Sequence, residues 1–333
     1  MSILTEILLS TLVTFALTML IAPLVIKLMK RAHASQSILE YVDNHSDKRG
    51  TPTMGGVMFL LPITIVSLVF GGVSSKSMLV TLATMLAFGV LGFLDDFIKV
   101  RCRHNEGLKP YQKIIGQLGI GIVVTLFAYY DPSIGTAIRL PFSDRYVDMS
   151  YFYIAFTLIV FLSTTNAVNL TDGLDGLATS TTLIYVATFV IVLLLGMDDI
   201  RGDVVAMANS RSEIIFLAST FGGLLAFLWH NTNKARIFMG DTGSLALGGM
   251  VGAVAVFSRN TLLIPIIGIM YMMSCISVII QVLYFKLSHG GRVFLMAPLH
   301  HHLQYKGMTE NKIVTIYSII TCLAGMVAVV SIV

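Results

Sequence analysis

Residues 77–99 read S-M-L-V-T-L-A-T-M-L-A-F-G-V-L-G-F-L-D-D-F-I-K. The run is apolar until it meets Asp95 and Asp96. Lipid forces a crossing segment to satisfy its own backbone polar groups, so roughly 17–25 apolar residues of this kind read as a spanning helix. Working outward, about ten such stretches occur, at 3–26, 54–72, 77–97, 113–130, 151–168, 176–197, 213–229, 242–258, 261–285 and 312–332. Composition agrees. Only 12% of the 333 residues are charged, against the ~25% usual in soluble globular proteins. A further 56% are hydrophobic, and the mean hydropathy is +0.84. These values exclude a water-soluble enzyme, a disordered chain, a nucleic-acid-binding tail and a secreted disulfide scaffold. Cys102, Cys275 and Cys322 are isolated and odd in number, which leaves neither a disulfide framework nor a CxxC metal site. Without internal repeats, low-complexity tracts or linkers, residues 1–333 read as a single all-α polytopic membrane domain.

The first stretch carries only Glu6 near its start and is followed by Lys27, Lys30 and Arg31, which predicts a retained anchor with its N-terminus outside. Ten spans from that start put both termini outside and segments 27–53, 98–113, 169–175, 230–241 and 286–312 in the cytoplasm. Those segments hold 16 of the 22 Lys and Arg, as the positive-inside rule requires. All eight histidines fall on the same side or at its membrane edge. The net +4 then divides into about +6 inside and −2 outside, a field suited to an anionic ligand. On the outer side, the Pro, Gly and alternating apolar residues of 131–150 predict a short hairpin.

Four clusters on the inner face carry chemistry. Adjacent carboxylates repel and are expensive near lipid, so Asp95 and Asp96 call for a metal or a cationic partner. The plainer reading is a helix end meeting the headgroups, with Lys99 neutralising a solvated pair. In N-A-V-N-L-T-D-G-L-D-G (166–176), Asn166, Asn169, Asp172 and Asp175 recur every three residues. On a continuous helix they would sweep a curved wall, drifting about 60° per step. Gly173 and Gly176 equally allow a turn that opens the next span with an anion-attracting N-terminus.

The third cluster is H-N-T-N-K-A-R-I-F-M-G-D-T-G-S (230–244). By default Asp241 is a helix N-cap, Phe238 a headgroup-level anchor, and Lys234 and Arg236 positive-inside charges. Phe238 can instead stack on a base, and the cations can meet phosphate. The fourth is G-G-R-V-F-L-M-A-P-L-H-H-H-L-Q-Y-K-G (290–307). Three consecutive imidazoles cannot all point one way from a helix, which argues against a simple trihistidine zinc site. With Arg292, His300, His301 and His302 suit phosphate and hydroxyl recognition. Two further segments, D-K-R-G-T-P-T-M-G-G around Lys48 and L-K-P-Y-Q-K ending at Lys113, read alone as positive-inside loops, with Pro110 opening a helix.

Taken together, G-T-P-T-M-G-G from Gly50, L-D-D-F-I-K, N-A-V-N-L-T-D-G-L-D-G, M-G-D-T-G-S and A-P-L-H-H-H resemble the polyprenyl-phosphate N-acetylhexosamine-1-phosphate transferase family over nearly the whole chain. A-P-L-H-H-H resembles the branch that acts on a muramoyl-pentapeptide rather than on N-acetylglucosamine. Gln304 departs from the pattern, which has an acid after the histidines. The resemblance implies transfer of phospho-MurNAc-pentapeptide from UDP-MurNAc-pentapeptide to undecaprenyl phosphate, giving lipid I and UMP in peptidoglycan synthesis at the cytoplasmic face of the bacterial inner membrane. It further implies Mg²⁺ as cofactor, with Asp241 and Asn169 as ligands. Asp95 would orient or deprotonate the acceptor, supported by Asp96. Asp175, Phe238 and Asn231 fall at the uracil, and His301 is the choice for catalysis within the histidine run. Lys48, Lys99, Lys113, Asp172, Gly176, Arg292, His300 and His302 complete the expected substrate contacts. Partners are the two substrates, the bilayer and, as a homodimer, a second copy of the chain; no nucleic acid is expected. Competing readings are a related transferase using another UDP-N-acetylhexosamine, a transporter whose site would lie near the midplane on interrupted helices, and a non-catalytic scaffold. The scaffold leaves the Asp, Asn and His clusters unexplained.

Overall fold

The computed structural model describes residues 2–32, 50–102 and 107–333. Its elements run α1 (Ile3–Arg31), α2 (Gly56–Gly71), α3 (Lys76–Cys102), α4 (Pro110–Tyr130), β1 (Ala137–Arg139), β2 (Tyr146–Asp148), α5 (Phe152–Thr171) and α6 (Leu177–Gly196). They continue with α7 (Val204–Asn231), α8 (Gly240–Phe257), α9 (Ile264–Ile267), α10 (Ile269–Leu287), α11 (Leu299–Tyr305) and α12 (Glu310–Val330). Among the described residues nine helices are long and apolar enough to cross a membrane. The remaining expected span is α2, whose 16 residues reach only about 24 Å at 1.5 Å per residue. The protein is an all-α polytopic membrane protein.

α2 is short because the chain before it does other work. Phe238 N donates to Pro52 O at 2.8 Å, Gly55 N to Phe238 O at 2.8 Å, and Gly56 N to Met239 O at 3.0 Å. Thr53 and Met54 are buried. This extended stretch therefore satisfies its backbone against another protein segment, the condition under which non-helical chain is tolerated inside a membrane protein. A Cβ at Gly56 would overlap the backbone of Gly243, so only glycine allows the approach.

Two expected spans differ from their sequence outlines. The apolar run 261–285 is broken: a 3₁₀ turn, Thr261–Leu263, leads into α9, and the chain restarts after Gly268 as α10. Pro265 and Gly268 had left room for that break. α7 begins at Val204, capped by Asp203, and so takes in Arg211 and Glu213. Arg211 pairs with Glu6 of α1, and Glu213 Oε1 accepts from Ser77 Oγ and Thr81 Oγ1, each at 2.7 Å. Their charge, which hydropathy reads as a span boundary, is answered inside the protein.

α8 is the axis of the bundle and is wholly buried along its apolar window. Lipid is as apolar as leucine, so helices inside a bilayer associate through close packing of small residues. α8 supplies them in G-D-T-G-S-L-A-L-G-G-M-V-G-A-V, packing chiefly on α3 and α5, while α1 lies along α7. Its first turn meets α3 at Gly92, where a Cβ would overlap the carbonyl of Asp241. At the far end the expected hairpin forms, pairing Ala137 with Asp148 and Arg139 with Tyr146. Arg139 N bonds Arg259 O at 2.9 Å and Phe142 N bonds Ser331 O at 2.7 Å, fastening that end of α8 and α12.

Candidate active site

The N-terminus of α8 meets the ends of α3 and α5, and the carboxylates converge there. Asp95 and Asp96 are 2% and 0% exposed, so the reading of a solvated pair at the headgroups fails. Asp96 Oδ1 accepts from Asp241 N at 3.2 Å, and its Oδ2 accepts from Thr242 N at 2.9 Å and Thr242 Oγ1 at 2.7 Å. Asp96 thus satisfies orphan N–H groups of α8, complementing the helix dipole. That is the capping role expected by default of Asp241, which instead stands in the first turn and points its carboxylate elsewhere.

Asp241 is the hub of the cluster. Its Oδ2 lies 2.9 Å from Lys99 Nζ and 3.0 Å from Lys113 Nζ, and its Oδ1 accepts from Asn169 Nδ2 at 2.6 Å. Asn169 Nδ2 also reaches Ser244 Oγ at 2.8 Å. Lys99 Nζ is 2.5 Å from Asp95 Oδ2, and Asp95 Oδ1 accepts from Leu108 N at 2.7 Å. One oxygen from each of Asp95, Asp96 and Asp241 lies within 4.8 Å of the others. Two unit charges about 4 Å apart repel by roughly 4 kcal/mol at an effective dielectric near 20. Two ammonium groups at contact distance supply attraction of the same order, which explains why both lysines bind one carboxylate. The constellation offers hard oxygen ligands, of the type that divalent Mg²⁺ takes, and a bed of positive charge for phosphate.

The Asn–Asp series divides where α5 ends. Asn166 Nδ2 donates to Gln117 Oε1 at 3.1 Å and holds α5 to α4, whereas Asn169 faces Asp241. Asp172 caps the helix, and Gly176, at φ +74°, turns the chain into α6. Helix and turn therefore each account for half of the series. The turn is stapled to the 231–239 loop. Asn231 Oδ1 accepts from Gly176 N at 3.1 Å and Thr179 Oγ1 at 2.9 Å, while its Nδ2 donates to Ile237 O at 3.0 Å. Asp175 Oδ2 accepts from Ala235 N at 3.0 Å. Phe238 is half-buried on that loop.

The three imidazoles diverge, as a helix requires. His300 is fully buried against the turn, where a Cβ on Gly173 would overlap its ring. Burial, and then the neighbouring His301, holds its pKa well below the usual imidazole range. The unfolded chain takes up a proton near pH 6.5 that folded His300 refuses, so the folded state loses stability as pH falls below about 6.5. Thermal unfolding in detergent between pH 7.5 and 5.5 should show a steeper loss for the parent than for His300→Phe; equal slopes would remove His300 as a cause. His301 Nδ1 lies 2.8 Å from Gln304 Oε1, and Gln304 Nε2 donates to Glu310 Oε1 at 3.2 Å. His302 Nδ1 accepts from Leu295 N at 3.1 Å.

Lys99, Lys113, Asp95, Asp96, Asn169 and Asp241 are therefore brought together by direct contacts. Gly176, Asn231 and Asp175 form a second, adjoining knot with the loop that carries Phe238. Arg292 is exposed and makes no hydrogen bond or ion pair among the described residues. Lys48 lies outside the described residues. Sequence reasoning missed the segment 50–56, read as a basic loop, which is buried from Pro52 to Gly56; the glycine pair in its G-T-P-T-M-G-G pattern was the available signal of close backbone packing. The break at Gly268 satisfies one expectation of the transporter reading, but the acids collect at a helix-bundle end rather than around that break.

The pattern of glycosyl transferase family 4 matches residues 78–259, and signature 1 of the phospho-N-acetylmuramoyl-pentapeptide-transferases matches residues 48–60. The chain is 43% identical over 323 residues to the phospho-N-acetylmuramoyl-pentapeptide-transferase of Clostridium kluyveri, covering 96% of this chain and 98% of that relative. To the protein of the same name from Clostridium novyi it is 41% identical over 326 residues, 96% of each. The corresponding Thermoanaerobacter pseudethanolicus protein is 41% identical over 320 residues, again 96% of each.

Proposed function

The chain belongs to the phospho-N-acetylmuramoyl-pentapeptide-transferase family, and from that premise we propose how its residues carry the reaction. The protein transfers phospho-MurNAc-pentapeptide from UDP-MurNAc-pentapeptide to undecaprenyl phosphate, forming lipid I and UMP. The observation that supports the assignment of the site is the convergence of Asp95, Asp96 and Asp241 with Lys99 and Lys113 at the end of three spanning helices. A lipid acceptor needs its phosphate met at such an end, and the donor's pyrophosphate needs cations.

In the proposed reaction an oxygen of the lipid phosphate attacks the donor's β-phosphorus in line, the α–β anhydride bond breaks, and UMP departs with the bridging electrons. One phosphoanhydride replaces another, so no further energy source enters. Asp95, next to Lys99, orients the acceptor. A phosphate monoester with a second pKa of about 6 is already largely dianionic at neutral pH, so proton removal contributes little. Lys99 and Lys113 turn from Asp241 toward phosphoryl oxygens as charge develops there. Asp241 and Asn169 would hold Mg²⁺, with Asp95 within reach; the bound ion would supply charge neutralisation on the pyrophosphate. Asp96 holds the α8 terminus in place. Phe238 forms the uracil side on the loop that Asp175 and Asn231 hold, while His301, His302, Arg292, Lys48, Asp172 and Gly176 contact sugar and phosphates and the buried His300 supports the turn beneath them. The site faces the cytoplasm of the bacterial inner membrane.

Purified protein in detergent should release UMP from UDP-MurNAc-pentapeptide only when polyprenyl phosphate is present. Detergent abolishes compartments, so turnover there rejects transport. Chelation should stop the reaction and added Mg²⁺ restore it; full activity in excess chelator would refute the metal assignment. UMP released stoichiometrically before acceptor is added would replace direct attack by an aspartyl-phosphate route through Asp241 or Asp95. Gln304→Leu, which removes the amide linking His301 to Glu310, should lower kcat/KM about tenfold, the usual effect of losing a hydrogen bond that orients an active imidazole. An unchanged kcat/KM would separate that chain from catalysis.

A further inference from the structure

A cleft of about 640 Å³ opens where α1 ends, between its last turns and the start of the 230–239 loop. Lys27, Lys30, Arg31 and Arg236 line its wall, and Pro23 and Ile26 give it an apolar side. None of these residues belongs to the acid cluster. His230 also lines the cleft; it is 8% exposed, and neither ring nitrogen has a hydrogen-bond partner among the described residues. A buried imidazole left unpaired costs stability, a cost that a polar ligand seated in the cleft would relieve. The neighbouring face of α1 is apolar and open, with Leu20 75% and Leu24 59% exposed. A cleft with cations at its rim, apolar residues at its side and lipid-facing leucines beside it matches an anionic amphiphile, as basic pockets between spanning helices do.

We infer that this cleft binds the phosphate headgroup of an anionic phospholipid, with Lys27, Lys30 and Arg236 on the phosphate oxygens and His230 completing the site. The acyl chains would run down α1 past Leu24 and Leu20. Arg236 N donates to His230 O at 2.8 Å, and the same loop continues into Phe238 and Asp241. A bound headgroup therefore ties α1 to the loop leading into the acid cluster. Polyprenyl phosphate and free phosphate carry the same recognisable chemistry, and the test separates the three.

Delipidated protein in a zwitterionic detergent is titrated with fluorescently labelled phosphatidylglycerol. The variant Lys27→Gln/Lys30→Gln/Arg236→Gln should bind about a hundredfold more weakly, since each cation near an anionic headgroup contributes roughly fivefold. His230→Phe should weaken binding severalfold. Arg101→Gln/Lys286→Gln, which removes cations elsewhere on the same end of the bundle, should bind like the parent. Equal binding by the triple variant, or an equal loss in the Arg101/Lys286 control, overturns the site. Displacement by inorganic phosphate at matched concentration, or retention of undecaprenyl phosphate with none of phosphatidylglycerol, overturns the phospholipid assignment.

Discussion

Asp241→Asn is expected to lower the rate of UMP release by roughly a thousandfold, the scale on which loss of a preorganised charge at a reacting phosphoryl or acyl centre is felt. The substitution barely changes volume, so packing does not explain the loss. Asp241 receives Lys99 and Lys113 on one oxygen and Asn169 on the other. All three are donors, and an amide can present only one acceptor oxygen, so one side of the residue must then face a donor with a donor. The measurement is turnover of purified protein in detergent at saturating substrates, with elution volume and thermal midpoint recorded beside it. Retention of more than a tenth of the parent rate, with the fold intact, would reject Asp241 as the centre of the site. Asp96→Asn has a different signature, because Asp96 spends its oxygens on the first turn of α8. It should lower stability by about 1 kcal/mol, the usual worth of a cap, together with activity.

The second large effect comes from a residue with no side chain. Gly92→Ala should reduce kcat about a hundredfold, because displacements near 1 Å at a reacting centre cost that much. A methyl group there overlaps the Asp241 carbonyl, so α3 and α8 must part. α3 carries Asp95, Asp96 and Lys99, α8 carries Asp241, and the cluster opens along that seam. Alanine is otherwise the better helix former by up to ~1 kcal/mol, so reduced helix propensity cannot account for a loss. Gly196→Ala and Gly119→Ala, where a Cβ meets open space, are the controls and should behave like the parent. Parent-level activity in Gly92→Ala would show that the reaction does not need the close approach of these helices.

Much of this architecture was readable along the chain. Lipid supplies no hydrogen-bond partners, so each span must declare itself through its own run of apolar residues. The outer hairpin and the break near Gly268 carried local signals as well. The failures share one cause. Arg211 looked like a residue outside a span and Glu213 like its first residue, but Glu6, Ser77 and Thr81 answer them from α1 and α3. The 50–56 segment looked like a basic loop, but Pro52, Gly55 and Gly56 pair with the backbone of Phe238 and Met239 across the bundle. Asp241 looked like an N-cap, but Asp96 from another helix had taken that position. In every case the partner is far away in sequence.

The same division holds for the site. Sequence alone determined that this is a multi-pass membrane protein and led to the expectation that its histidines and most cations gather on one side, because hydropathy and charge are properties of each segment taken singly. It also singled out Asp95, Asp96 and the series containing Asn169 by their cost near lipid, and Asp241 through the family resemblance. Only the tertiary structure decided what each does: Asp96 caps, Asp241 collects two lysines, Asn231 spends its amide on loop geometry, and His300 is sealed against Gly173. Those roles depend on distances of about 3 Å between helices. Such distances are set by where small residues let backbones meet, a relation between segments that no single segment contains.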